Sequence, residues 1–272
     1  MTDPVEREGG RPNQASCVGP DPKVPQRWAL FLDIDGTLLH IAETPHGVHV
    51  DADLFDLVRR LHGAAGGALA LISGRAIAEI DRLFAPLTLP AAGQHGLERR
   101  DAAGGRHLHP LPRGGLDLAR ERMAALQSAN RGLLVEDKGL SFAIHFRQAP
   151  ALAALVGRAA EELLAVLGEG WRTQLGKMVV EIKPAGRDKG SAIVEFMAEP
   201  PFGGRTPVFV GDDATDEFGF AVVNRLGGVS VKVGDGESAA RWRLDGVAGV
   251  RRWLERCVAA APLPGEEGDG RA

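Results

Sequence analysis

The chain is poor in cysteine, in long apolar runs and in net charge. Its 272 residues hold two cysteines, Cys17 and Cys257, which can build neither a disulfide framework nor a zinc-ligand set. No apolar run approaches the ~18–20 residues that span a bilayer. The opening "MTDPVEREGGRPNQ" has no apolar segment of the kind a secretory signal needs. A formal net charge of −4 offers no basic footprint for nucleic acid or a membrane surface. A cytoplasmic enzyme or binding protein is the simplest class, and a monomer acting on a small molecule is the expectation. Apolar and charged fractions of 44% and 25% are those of an ordinary soluble globular protein. The length suits one large α/β domain, or a core with a smaller insert.

Four short runs read as buried strands: "WALFLDI" (28–34), "ALALIS" (68–73), "PVFVGD" (207–212) and "VSVKV" (229–233). The first three are almost continuously apolar, as in a parallel sheet covered on both faces. Helical patterns alternate with them over 51–62, 76–84, 190–199, 215–226 and 249–261. Asp51 is placed to cap the first of these. This alternation predicts an α/β fold with a doubly wound, mainly parallel sheet.

The middle reads differently. Amphipathic helices over 115–130 and 150–168 are interleaved with strands "LSFAIHFR" (140–147) and "MVVEIKP" (178–184), whose alternation suits a sheet covered on one face. The expected organisation is a disordered leader over 1–26, a core of 27–113 and 183–260, an inserted α+β cap of 114–182, and a flexible tail over 261–272.

Chemistry gathers where the core strands end. "FLDIDGTLLH" places Asp33 and Asp35 two residues apart, on one strand face and roughly 6–7 Å from each other. Two carboxylates at that spacing repel by about 2–3 kcal/mol. The second strand ends in Ser73 and the third in Asp212 and Asp213, with Asp216 close behind and Lys189 opening a helix. In an open parallel sheet, ligands sit outside the carboxyl ends of the strands, so these groups converge. An oxygen-only acidic cluster calls for a hard cation, and Mg²⁺ usually takes one or two carboxylates together with substrate phosphate. Asp33, Asp212 and the backbone carbonyl of Asp35 would make a partial shell.

In order, "DIDGT", an "ISGR", a lone Lys before a helix and "GDDATDE" resemble the four motifs of haloacid-dehalogenase-type phosphohydrolases. That resemblance implies Asp33 as nucleophile through an aspartyl-phosphate and Asp35 as general acid, then base. It implies Ser73 and Lys189 on the transferring phosphoryl group and a Mg²⁺ ion held by Asp33, Asp35, Asp212 and Asp213, with Asp216 a further candidate beside them. Gly36 and Thr37 would turn the chain beside the phosphate, with Gly74 and Arg75 also at the substrate. More closely, "GQHGLERR", "EDKGLSFAIHFRQAP", "MVVEIKPAGRDKG" and the segment from Pro207 to Gly234 resemble trehalose-6-phosphate phosphatases, from about residue 28 to 257. On that likeness Glu136, Lys138, Arg147 and Glu181 would contact the disaccharide. Phe146 departs from the Tyr usual in that family; the chain contains no Tyr.

Plainer readings stand beside these. A lone Asp-x-Asp is more often a solvated turn; four ordered motifs reverse that preference. Lys138 and Arg147 could be surface charges, and Glu181 a structural ion pair. His107 and His109 in "RHLHP" read as a solvent-facing hairpin, lacking a third metal ligand. His95 either reaches the active edge or fixes a loop. Trp242 and Trp253 read as core or capping residues at helical spacing. Alternatives in function are a phosphatase for sucrose phosphate, a glycosyl phosphoglycerate or a hexose phosphate, and a receiver-type phospho-acceptor domain.

Overall fold

A computed structural model describes residues 19–21, 27–42, 47–112 and 115–260. The expected tail, 261–272, and most of the expected leader lie outside these residues. Within the leader segment, Gly19 and Pro20 are buried, and the Pro20 carbonyl accepts the indole N–H of Trp253 at 2.9 Å. A buried indole needs such an acceptor.

The larger sheet has eight strands: β1 (Trp28–Leu32), β2 (Leu69–Ile72), β3 (Ala91–Gly93), β4 (Glu98–Arg100), β5 (Arg106–Leu108), β10 (Thr206–Gly211), β11 (Val229–Val233) and β12 (Trp242–Leu244). Their order is β12-β11-β10-β1-β2-β3-β4-β5. From β12 to β3 neighbours are parallel, and β4 and β5 add an antiparallel edge. The central strands β1 and β2 are buried along their whole length, as their unbroken apolar runs require.

Successive residues of β1 point to opposite faces, and each face meets a helix. Trp28 stacks on Trp253 of α7 (Gly246–Ala259), with ring centroids 5.9 Å apart. Phe31 meets Phe196 of α5 (Lys189–Met197) on the other side. The sheet is thus covered on both faces, the doubly wound arrangement expected. Helix α1 (Ala52–Ala64) shows how these helices arise. Asp51 caps it through the Leu54 N–H at 2.8 Å, and Leu54, Leu57, Val58 and Leu61 form its buried stripe, the i, i+3, i+4, i+7 pattern of an amphipathic helix.

Between β5 and α5 lies a second sheet of β6 (Leu134–Asp137), β7 (Phe142–His145), β8 (Trp171–Gly176) and β9 (Val179–Pro184), ordered β6-β7-β9-β8 and wholly antiparallel. Helices α3 (Leu116–Ala129) and α4 (Ala153–Leu167) pack against it. One sheet face carries Phe142, Ile144, Val180 and Ile182 into an apolar cluster with Met123, Val156 and Leu163. Pairing sets the other face: Glu136, Ala143, Glu181 and Gln174 form one row across all four strands. That polar row faces the core.

Some sequence expectations change here. Trp242 belongs to edge strand β12 and is 39% exposed; pairing with β11, rather than a helical face, determines its place. Trp253 is fully buried on α7, as expected of a core residue. The "RHLHP" segment does form a hairpin strand, with His107 beside Asp101 at 2.7 Å. No described helix is long and apolar enough to cross a membrane.

Candidate active site

β1 stops at Leu32 because the chain turns sharply after Asp33. The Asp33 N–H still joins the sheet through the Val210 carbonyl at 3.0 Å, and the Ile34 carbonyl then collects the N–H groups of Thr37, Leu38 and Leu39. Gly36 makes this turn possible. Its φ is 87°, and a Cβ there would lie 2.2 Å from Asp212 Oδ2. The turn therefore presses the first motif directly against the last.

Asp33 is 3% exposed. Its Oδ1 accepts from Lys189 Nζ at 2.7 Å and its Oδ2 from Thr37 Oγ1 at 3.3 Å. Lys189 is the first residue of α5, held there by the Asp188 cap on Ser191. The same ammonium reaches Asp216 Oδ1 at 2.7 Å. Burial alone would drive Lys189 down, but Asp216 and Asp33 outweigh it and hold the ammonium above its usual value. Burial pushes Asp33 well above the ordinary carboxylate range; Lys189 opposes this, while Asp216 and Asp212 add to it. Lys189 thus bonds two of the three buried carboxylates, Asp33 and Asp216 but not Asp212.

Asp35 points elsewhere. Arg75 grips its carboxylate with two bonds, Nε to Oδ2 and a terminal nitrogen to Oδ1, both 2.7 Å. Ser73 Oγ accepts the Arg75 N–H at 3.2 Å, which leaves the Ser73 hydroxyl proton free to donate. Asp33, Asp35, Ser73, Gly74, Arg75, Glu136, Lys138, Arg147, Glu181, Lys189, Asp212 and Asp213 all line one cavity between the two sheets. Gly36 and Thr37, also expected at the substrate, are not among its lining residues; Thr37 instead donates to Asp33.

Across the cavity, Glu181 accepts from Lys138 Nζ at 2.8 Å, and its Oε2 stands 2.5 Å from His95 Nε2. Burial would raise Glu181, yet His95 and Lys138 hold it well below the usual carboxylate range. Glu136 meets His145 at 3.1 Å. Arg147 ties the cap to the core by donating to the Ala42 carbonyl at 3.0 Å, and braces the β8–β9 hairpin through the Lys177 carbonyl at 3.2 Å.

A family model described as trehalose-phosphatase matches residues 31–248. The chain is also 46% identical, over 242 residues, to a trehalose-6-phosphate phosphatase of Escherichia coli, with 88% of this chain and 90% of that protein covered. It belongs to the trehalose-phosphatase family. A solved trehalose-6-phosphate phosphatase related protein is similar in structure, with a TM-score of 0.72 at 28% identity, covering 85% of this chain and 96% of that one. A haloacid dehalogenase-like hydrolase from Bacteroides thetaiotaomicron shares the fold, with a TM-score of 0.61 at 15% identity over 85% of this chain and 98% of that one. As a member of this family the protein is a phosphatase.

This trehalose-phosphatase family member carries a donor set that fits a hard divalent cation. Asp33, Asp212 and Asp216 each bring an oxygen within 4.8 Å of the others. Asp212 Oδ1 is buried without a hydrogen-bond partner among the described residues, a costly state unless a cation takes it. The three oxygens are not equivalent. Asp216 Oδ2 accepts the N–H groups of Asp212 and Asp213 at 2.9 and 2.8 Å, so Asp216 chiefly shapes the loop. Asp213, expected among the metal ligands, caps the turn through the Ala214 N–H and lies outside this cluster of three.

Several contributors escaped the sequence reading. Lys177, at the tip of the β8–β9 hairpin, reaches Asp212 Oδ2 at 2.6 Å. Buried Lys232 donates to the Asp212 carbonyl. Gln174 and His145 line the cavity beside Glu181 and Glu136. His95, left between two readings, reaches the site. A basic residue in a hairpin between alternating strands was the available signal for Lys177; nothing marked Lys232.

Proposed function

We propose that the protein hydrolyses trehalose 6-phosphate to trehalose and phosphate, with Mg²⁺, through an aspartyl-phosphate on Asp33. The observation that carries the chemistry is the placing of Asp33, Lys189 and the orphaned Asp212 oxygen at one point below a cavity. Asp33 attacks phosphorus while the bond to the sugar O6 breaks. Asp35 delivers the proton that the departing alkoxide requires, which means that its hold on Arg75 must loosen. Water then attacks the phosphoryl-aspartate, Asp35 takes its proton, and phosphate leaves. Ser73 and Lys189 donate to the phosphoryl oxygens as charge develops. Asp33, Asp212 and the Asp35 carbonyl would hold Mg²⁺, with Asp213 or Asp216 alongside; the ion would offset the carboxylate charge and polarise the phosphoryl group.

Residues 114–182 act as the cap in this reading, presenting Glu136, Lys138, Arg147 and Glu181 to sugar hydroxyls. A carboxylate accepts from hydroxyls and a Lys or Arg donates to them. The curated relative's name supports the choice of sugar, as do two carboxylates on a sheet face and a Lys and an Arg just beyond its strands, all lining the cavity that holds Asp33.

Phosphate release across trehalose 6-phosphate, sucrose 6-phosphate, glucose 6-phosphate and p-nitrophenyl phosphate tests the proposal. We expect kcat/KM for trehalose 6-phosphate to exceed the others by about a hundredfold or more, the scale of a few kcal/mol of selective binding. Equal rates across the panel would overturn the sugar assignment. A persistent phosphoryl-enzyme without turnover would favour a receiver-type domain instead.

A further inference from the structure

Gln94 and His95 are consecutive non-glycine residues with φ of 47° and 56°. Left-handed backbone costs such residues roughly 1–2 kcal/mol each, and it persists only where surroundings over-determine it. Neither the sheet nor the phosphoryl chemistry asks for it, since β3 has already ended at Gly93. The side-chain contacts supply the reason, and they cross from the core to the cap.

Gln94 Nε2 donates to the Lys138 carbonyl at 2.9 Å, and its Oε1 accepts from Ser141 Oγ at 2.8 Å. Those partners bracket the turn between β6 and β7. A second bond, from Nε2 to Glu98 Oε1 at 3.2 Å, anchors the amide to the core. His95 Nε2 meets Glu181 Oε2 on β9, with Gln174 Nε2 3.4 Å from both. Lys138 and His95 therefore grip opposite oxygens of one buried carboxylate.

The turn has no room to slide. A Cβ on Gly93 would meet the Arg75 carbonyl at 2.8 Å, and one on Gly96 the Asp188 carbonyl at 2.7 Å. A Cβ on Gly74 would meet His95 Nε2 at 2.6 Å. The turn is wedged between the Gly74–Arg75 segment, the cap residue of the Lys189 helix, and the cap sheet.

We propose that the Gln94–His95 turn is a positioning element for sugar recognition: His95 fixes the Glu181 carboxylate and Gln94 fixes the backbone from which Lys138 projects. This deepens the trehalose 6-phosphate reading and rests on it. Because the turn belongs to the core and its partners to the cap, the Lys138–Glu181 pair takes its reading geometry only with the cap seated. Specificity is then assembled on closure, with binding energy used to complete the site.

The test uses the full chain with His95→Gly, His95→Gln and Gln94→Gly, and Glu181→Gln as reference, on trehalose 6-phosphate and p-nitrophenyl phosphate. Glycine adopts positive φ without strain, so the glycine variants separate positioning from folding. For His95→Gly we expect KM for trehalose 6-phosphate to rise at least tenfold. The fall in kcat/KM on the sugar should exceed that on p-nitrophenyl phosphate by at least tenfold, at a temperature where circular dichroism shows the variant folded. His95→Gln should recover part of the loss through its own N–H donor. Gln94→Gly should show the same selective pattern, and carries the test if His95→Gly does not fold. Equal losses on both substrates, or an unchanged KM, overturn the inference while Glu181→Gln remains selective. If Glu181→Gln is itself unselective, the sugar-contact reading of Glu181 fails and the inference with it.

Discussion

The core and the cap each bury a charged cluster, and they balance it in opposite ways. In the core, the buried Lys189 ammonium bonds Asp33 and Asp216, while Asp212 takes half-exposed Lys177 on Oδ2 and buried Lys232 on its backbone carbonyl; Asp33 is pushed up by burial. In the cap, a single carboxylate, Glu181, receives both Lys138 and His95 and is held down. The core cluster leaves Asp212 Oδ1 without a partner among the described residues, whereas both oxygens of Glu181 are taken. A site for transferring a phosphoryl group keeps room for a cation and an incoming anion. One for reading neutral hydroxyls can have its charges paired with one another once the cap is seated on the core.

The widest separation between the two regions should come from Asp33→Asn. Losing the nucleophile should cost about ten-thousandfold or more in kcat, the scale seen when a covalent catalyst is removed. The loss should be similar on trehalose 6-phosphate and on p-nitrophenyl phosphate, since both need the same attack. Phosphate release under single-turnover conditions measures it. A variant within tenfold of the parent on either substrate would sink the covalent mechanism.

Glu181→Gln should break the cap side alone. Truncating one partner of a buried, hydrogen-bonded charge pair typically costs 2–5 kcal/mol. We expect about two orders of magnitude in kcat/KM on trehalose 6-phosphate, but only a few-fold change on the aryl phosphate. Matched losses on the two substrates would remove the distinction drawn here.

The same pair predicts a pH dependence of stability. A carboxylate whose folded pKa is depressed contributes stability above its unfolded pKa and loses it as pH falls through the folded value. Glu181 is such a group, so urea midpoints of the parent should drop from about pH 5 downward. In Glu181→Gln that slope should be shallower. A parallel slope in the two proteins would show that other carboxylates carry the acid sensitivity.

The two regions were also unequally legible. Asp33, Ser73 and Asp212 could be placed together because each ends an apolar run, and parallel strands deliver such ends to one edge. Cap residues required the register of four strands. Two of these, "LVED" and "WRTQLG", mix polar and apolar residues too evenly to stand out. Without them the row from Glu136 to Gln174 cannot be drawn. The three-residue strands β3, β4 and β5 are too short to show alternation. His95 stayed between two readings, because left-handed backbone at a histidine follows from its surroundings rather than from its type. Asp216 looked like one more carboxylate in "GDDATDE"; only the folded loop shows both of its oxygens committed within the protein.

The smallest expected effect lies where the two regions touch. Lys177 extends from the cap hairpin to Asp212 Oδ2 at 2.6 Å, with 54% of its side chain exposed. It brings positive charge to the core cluster, yet exposure screens the pair to well under 1 kcal/mol or so. A divalent cation at the Asp212 cluster must therefore work against a nearby ammonium. Lys177→Met keeps the aliphatic stem and removes the charge, so it should tighten Mn²⁺ or Mg²⁺ binding by about two- to fivefold. Titration calorimetry with the metal alone, or the Mn²⁺ electron paramagnetic resonance signal, reads this without turnover. Weaker binding in the variant would mean that Lys177 holds Asp212 Oδ1 toward the ion rather than standing in for it. The cap would then be part of the metal site itself, and the contrast between the two clusters would end at that hairpin.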